Sequence, residues 1–149
     1  ALASAEHHPD RRVEGWQISG RDPPVSHVSV NCGASGAITG IGTVLPKEVL
    51  HLVGLSQAAA KGDVEARQRA LELDAALAVL SSFDEGPDLV LYFKHMMVLK
   101  GNPEYLLHFN ETDALTDSQR GYAEAQLKLF DSWYAQWSRQ PGVIARSAA

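Results

Sequence analysis

Apolar residues recur at helical spacing through the second half of this chain. Between residues 64 and 82 they fall three and four positions apart, which is typical of a helix packed on one face; the members are Ala66, Ala70, Leu73, Leu77 and Leu80. A second stripe follows a T-x-x-Q capping box at Thr116 and predicts a helix to about Ser138. Its members are Ala123, Leu127, Phe130, Tyr134 and Trp137. Such stripes indicate core-facing helices rather than cofactor sites.

A helix over residues 44–60 precedes the first of these stripes. Pro46 suits its first turn, because proline has no amide hydrogen to leave unpaired there. Gly62 suits the position just after its last turn, where the backbone often turns left-handed. Asp63 can then cap the helix that follows. The sequence therefore predicts two consecutive helices with a short connection.

The region between the two stripes contains one more helix and a connecting segment. Residues 87–100 are apolar almost all round, which indicates burial on several sides or a subunit contact. Gly101 ends this helix. Residues 102–115 then connect to the last helix, with one helical turn predicted over residues 104–108.

The first third of the chain predicts two short strands instead. Residues 12–19 are rich in strand formers, and residues 37–39 (AIT) form a second short strand between glycines; these are Gly33, Gly36, Gly40 and Gly42. Residues 24–32 alternate, and their intrinsic propensity favours a strand. The glycines either turn the chain or cradle a phosphate, but their spacing fits neither GxGxxG nor GxxxxGK[ST].

Composition and net charge limit which partners and which cellular location we expect for this chain. The chain has 149 residues, enough for one domain with a real core, and its formal net charge is −5 without a run of Lys or Arg. This charge argues against nucleic acid and against an anionic membrane as partners. No apolar run approaches the roughly 20 residues of a spanning helix, and no signal peptide is predicted. Cys32 is the single cysteine, which fits a cytoplasmic location.

The stretch GASGAITGIGTVLPKEV, which starts at Gly33, resembles the eighth strand and eighth helix of the dihydrodipicolinate synthase / N-acetylneuraminate lyase family. That family has class I aldolase-type (β/α)8 barrels that act on 2-oxo acids such as pyruvate. The pattern G-x-x-G-[VA]-I-[ST] is matched by Gly33, Gly36, Ala37, Ile38 and Thr39. Gly20 and Asp22 also match the turn after strand seven, whereas Arg21 departs from it.

The resemblance implies only part of a barrel, since a complete (β/α)8 barrel needs about 250 residues. The predicted fold class is mostly α: a C-terminal fragment of a TIM barrel with about two short parallel strands, followed by a C-terminal helical domain. Residues 1–62 would form the partial barrel, with helix seven over residues 24–32. Residues 63–138 would form the helical domain, and residues 139–149 a flexible tail. Unpaired strand edges lead us to expect a homo-oligomer.

The resemblance also implies a site at the carboxyl ends of the strands. Gly20, Ile38 and Thr39 would bind the 2-oxo acid, and Ile38 would do so through its backbone carbonyl. Enzymes of the family form a Schiff base through a lysine on strand six. All five lysines here fall on the predicted helices or at their ends; they are Lys47, Lys61, Lys94, Lys100 and Lys128. We therefore expect a truncated lyase without a catalytic residue, without a cofactor and without turnover.

A second interpretation assigns no catalytic activity to the chain. Here the chain is a helical interaction or oligomerisation module, and the helix over residues 89–99 meets a partner. A metal site is not predicted, because nothing fixes the spacing of its candidate ligands, His95, His108, Glu111 and Asp113.

Overall fold

The computed structural model describes residues 15–19, 34–81, 88–108, 110 and 112–140. For residues 15–19, 34–38 and 81 it describes the backbone only. The elements in chain order are strands β1 (Gly15–Ser19) and β2 (Ala34–Thr39), helices α1 (Ile41–Val44), α2 (Pro46–Ala60), α3 (Val64–Ser81) and α4 (Leu89–Leu99), a 3₁₀ turn (Pro103–Leu106) and helix α5 (Asp117–Trp137).

The predicted capping residues Thr116, Asp63 and Gly62 are confirmed. The Thr116 hydroxyl accepts a hydrogen bond from the Gln119 amide at 3.3 Å, and the Gln119 side chain accepts one from the Thr116 amide at 2.8 Å. Asp63 accepts one from the Ala66 amide at 2.9 Å. Gly62 has a φ of 99°, the left-handed conformation expected just after a helix.

The capping box of α5 also reaches a neighbouring helix. The side-chain nitrogen of Gln119 donates to the Asp88 carboxylate at 2.9 Å. Asp88 is the residue immediately before α4. One glutamine therefore joins the starts of α4 and α5.

The predicted helix over residues 44–60 is interrupted at Leu45. A residue that precedes proline is sterically disfavoured from the helical region, and Leu45 has φ −125° and ψ 59°. Helical hydrogen bonding continues on both sides, because the Leu45 amide donates to Ile41 at 2.9 Å and the Leu45 carbonyl accepts from Val49 at 3.1 Å. Pro46 thus separates α1 from α2, while Leu45 still takes part in a helical hydrogen bond on each side.

One hydrophobic core joins the helices. Both predicted stripes contribute to it, and buried side chains of α1, of α2 and of the residue between them also belong to it; these include Ile41, Leu45 and Leu52. Helix α3 packs against both α2 and α5, and α4 packs against α5. The core therefore contains residues from both sides of the predicted boundary between residues 62 and 63.

The helical part fits the predicted mostly-α class, but the TIM-barrel fragment is wrong. Barrel strands pair on both sides and are covered by helices. Within the described ranges, β1 and β2 pair in parallel with each other alone, and helices α2 to α5 bury their apolar stripes mainly against one another. The predicted helix over residues 24–32 lies outside those ranges.

The environment of Gly40 explains part of the wrong assignment to a barrel. Gly40 has a φ of −64°, which any residue can adopt, so backbone freedom is not why it is glycine. A β-carbon there would overlap the Phe93 ring of α4, with Cζ only 2.9 Å away. The glycine lets a helix side chain pack against the backbone, a requirement unrelated to a barrel strand.

This contact predicts opposite effects for two glycine substitutions. Gly40→Ala should lower the free energy of unfolding by about 1–3 kcal/mol, because the Phe93 ring must move within a packed core. Gly54→Ala is the matched control: Gly54 is exposed inside α2 with nothing within 4 Å, and alanine should add about 0.5–1 kcal/mol. Urea unfolding of both variants measures the difference. Equal effects would contradict the role assigned to Phe93.

Candidate functional site

The structure describes two of the three predicted substrate-binding residues. Gly20 lies outside the described residues. Ile38 belongs to β2, where its backbone is the register partner of Ile18. Thr39 ends the same strand opposite Ser19, is half-buried, and its methyl group lies near Gly42. The structure thus places two of the three residues next to each other on one strand and does not describe the third.

The candidate metal ligands partly share a cavity. His95, His108 and Asp113 line it together, whereas Glu111 lies outside the described residues. In the part of the chain that the structure covers, no group of three or more His, Cys, Asp or Glu residues is arranged to hold a metal ion.

An aromatic cluster occupies the carboxyl-terminal half of α5. Phe130 stacks on Tyr134 with ring centres 5.8 Å apart, and Trp133 stacks on Trp137 at 5.1 Å. His51 of α2 lies edge-on to Tyr134 at 6.0 Å and against Trp137 at 5.6 Å. These five side chains are called the aromatic cluster below, and they hold α2 against α5.

Polar contacts strengthen this cluster and also attach it to α3. His51 Nδ1 and the Tyr134 hydroxyl are 2.8 Å apart, and Trp137 Nε1 donates to the Glu72 carboxylate at 2.7 Å. The Arg69 guanidinium lies 4.2 Å from the centre of the Trp137 ring and donates to the Trp137 carbonyl at 3.3 Å. These polar groups bind one another, which is the arrangement of a structural joint among three helices.

Burial also sets the charge states in this joint. Burial, followed by the nearby Arg69, lowers the pKa of His51 below its ordinary value. Burial, followed by Glu48, raises the pKa of Tyr134. At neutral pH both groups are therefore uncharged, which suits a hydrogen bond between a phenol and an imidazole.

An apolar groove lies between helices α3 and α5. We call it the α3–α5 groove; its volume is about 280 Å³, and its lining residues are Ala76, Val79, Leu80, Gln126, Leu129, Phe130 and Trp133. Leu129 is 65% exposed and Val79 is 46% exposed. These two exposed side chains lie at the edge of a groove whose lining is otherwise buried or half-buried.

A second cavity lies beside α4. We call it the His95 cavity; its volume is about 190 Å³, and its lining residues are Leu91, His95, Val98, Tyr105, Leu106, His108, Asp113, Ala114, Leu115 and Arg120. Among the described residues, the buried Nε2 atom of His95 has no hydrogen-bond partner. Burial, followed by the charge of Arg120, lowers the pKa of His95 and favours its neutral form.

Neither cavity was predicted from the sequence, although His95, His108 and Asp113 had been grouped there as candidate metal ligands. The groove had a signal, because Tyr122, Gln126, Leu129 and Trp133 repeat at helical spacing beside the main stripe of α5. The His95 cavity had no comparable signal, since its walls come from α4, the 3₁₀ turn and the start of α5. Contacts of that kind leave no local periodicity.

Comparison with known proteins assigns no family. No protein-family model matches the chain, and no curated protein matches it. Across the ranges described above, no helix combines the length and apolar character needed to cross a bilayer.

The two histidines predict a pH dependence of stability. In the folded chain both pKa values are lowered, so near and below about pH 6.5 the unfolded chain binds more protons than the folded one. The free energy of unfolding should therefore fall as pH drops from about 7.5 to about 5.5, a window above most carboxylate titrations.

Denaturant unfolding at the two pH values measures this dependence. The double variant His51→Gln, His95→Gln should lose much of the slope, because glutamine does not titrate. Single variants would divide the effect between the aromatic cluster and the His95 cavity. An unchanged slope in the double variant would contradict the assignment.

Proposed function

We propose that this chain is a helical interaction module that self-associates through the α3–α5 groove. The apolar lining of the groove, with Val79 and Leu129 exposed, is the observation that carries the proposal. A net charge of −5 supports a protein partner over nucleic acid. Cys32, the single cysteine, supports a cytoplasmic location as part of the same proposal.

Spacing along α5 supports a helix as the occupant of the groove. Tyr122, Gln126, Leu129 and Trp133 are four, three and four positions apart, the spacing of a coiled-coil seam. At about 100° per residue, this seam lies roughly 100° around α5 from the buried stripe. Helix α5 thus has one apolar face in the core and a second beside it.

The symmetry of the seam favours helix α5 of a second copy of this chain as the occupant of the groove. Gln136, three positions after Trp133, continues the seam, so Leu129 lies at its middle, seven positions from Tyr122 and seven from Gln136. Antiparallel packing about a two-fold axis at Leu129 places Trp133 of one copy close to Gln126 of the other. The indole N–H can then donate to the amide oxygen twice, once in each half of the interface. A single polar position of this kind also specifies register.

The size of the groove sets the expected strength. A seam of 15 residues is about 21 Å long, and two adjacent helices are about 20 Å wide, which gives roughly 400 Å² on each copy. Stable interfaces bury about 800 Å² on each partner. We therefore expect a weak dimer with a dissociation constant of roughly 0.1 mM.

Sedimentation equilibrium over protein concentrations of about 10 μM to 1 mM tests the proposal. The parent chain should shift from monomer to dimer, and Leu129→Asp should stay monomeric because it buries a charge at the two-fold axis. Leu50→Asp is the matched control, since Leu50 is 70% exposed on α2 and does not line the groove.

Urea unfolding should show that both variants remain folded, because each replaces an exposed side chain. A parent chain that stays monomeric throughout the concentration range contradicts the proposal. So does a loss of dimer that is equal in the two variants.

The interpretation as a 2-oxo-acid lyase without its Schiff-base lysine stays a prediction from the resemblance. Lys47, Lys61, Lys100 and Lys128 are exposed, and Lys94 donates to the Leu107 carbonyl. A Schiff-base lysine is instead activated by desolvation or by a neighbouring cation. Borohydride treatment with pyruvate should therefore leave the mass of the chain unchanged. A stable adduct on any of the five lysines would overturn this expectation.

A further inference from the structure

Two rings of the aromatic cluster also line the α3–α5 groove. These are Phe130 and Trp133, and their centres lie 5.9 Å apart. Each stacks on a ring that is not among the lining residues: Phe130 on Tyr134 with the planes 11° apart, and Trp133 on Trp137 with the planes 22° apart. The aromatic wall of the groove is therefore held in place by two supporting rings, Tyr134 and Trp137.

His51 of α2 contacts both supporting rings. Its ring centre lies 6.0 Å from that of Tyr134 and 5.6 Å from that of Trp137, and Nδ1 is 2.8 Å from the Tyr134 hydroxyl. His51 is not among the residues that line the groove. A change at His51 therefore reaches the groove through Tyr134 and Trp137.

Arg69 of α3 already holds a positive charge against one of the supporting rings. Its guanidinium lies 4.2 Å from the centre of the Trp137 ring, and it donates to the Trp137 carbonyl at 3.3 Å and to the Gln140 carbonyl at 2.6 Å. A protonated His51 is a second cation beside the same ring, and like charges repel. Protonation of His51 therefore disturbs the position of Trp137.

The other titratable groups beside His51 do not cancel this repulsion. Burial and then Arg69 lower the pKa of His51, and they outweigh Glu48 of the same helix, which raises it. Glu72 of α3 accepts a hydrogen bond from the indole at 2.7 Å. From α5, Tyr134 faces His51 with a raised pKa and is uncharged. The charged form of His51 is thus the disfavoured one in this environment.

We infer that His51 positions the aromatic wall of the α3–α5 groove, so that its protonation weakens self-association. This inference rests on the proposed function, because it names a regulation of the same surface. In a monomer the rings can shift when His51 becomes charged. A helix in the groove packs against Phe130 and Trp133 and opposes that shift, because packed side chains leave little free space. Self-association and protonation therefore oppose each other, and the coupling acts equally in both directions.

Sedimentation equilibrium at about pH 7.5 and about pH 5.5 tests the inference. The dissociation constant of the parent chain should be roughly tenfold larger at the lower pH. His51→Gln should give one dissociation constant at both pH values, because glutamine does not titrate. His95→Gln is the matched control: His95 lines the other cavity and should not affect the pH dependence of the dimer. Urea unfolding at the lower pH checks that each variant is folded.

Two further measurements separate positioning by charge from simple packing. Glu48→Gln removes a carboxylate that favours the charged form of His51, so the pH midpoint of dimer loss should move to lower pH. Glu48 is not in the groove lining. Circular dichroism of the coupled indoles of Trp133 and Trp137, 5.1 Å apart, reports the stack in the monomer. This signal should weaken at the lower pH in the parent chain and stay constant in His51→Gln.

The outcomes distinguish this inference from the proposed function. A parent chain that is monomeric at both pH values overturns self-association and this inference together. A dimer with an unchanged dissociation constant overturns the inference alone, as does a pH dependence that persists in folded His51→Gln. If His51→Gln does not fold, an unchanged midpoint in Glu48→Gln has the same meaning. An indole signal in the monomeric parent chain that is independent of pH also contradicts the inference.

Discussion

The structure depends on burial of the leucine stripe of α3. Leu73, Leu77 and Leu80 are fully buried, and the helix that carries them packs against both α2 and α5. Burying one such side chain contributes about 1.5–3 kcal/mol, comparable to a large part of the net stability of a small domain. Helix α3 is therefore the central element, and the positions of α2 and α5 follow from it.

Both candidate surfaces are by-products of that arrangement. The α3–α5 groove exists because each helix has apolar residues beyond the stripe that it buries, including Val79 and Leu129. The His95 cavity exists because α4 is apolar on several sides while the segment that crosses it is irregular. The core fixes where these surfaces lie, and the side chains at their edges decide what they accept.

Two histidines show how similar environments lead to different roles. Burial and a nearby arginine lower the pKa of both His51 and His95. His51 is bound to Tyr134 and to the rings around it, and so it joins helices. The Nε2 atom of His95 has no such partner among the described residues. The hydrogen bond to Tyr134, rather than burial or charge, is what gives His51 its role in joining helices.

What the sequence predicted correctly is local. The leucine stripe, the Asp63 cap and the capping box at Thr116 each depend on residues within a few positions of one another. The contacts that define the sites are not local: His51 meets Tyr134 across 83 positions. The barrel assignment failed for the same reason. A glycine pattern was taken to indicate a strand of a known fold. Gly40 is instead glycine because the ring of Phe93, which is far away in the sequence, lies against it.

The double role of Gln119 has a consequence for cooperativity. Its amide group completes the cap of α5 and at the same time holds Asp88 at the start of α4. Fraying at the first turn of one helix therefore releases a restraint on the other. The two amino-terminal turns should open as a single unit, with amide hydrogens that exchange in concert, although 31 positions separate these two residues along the chain.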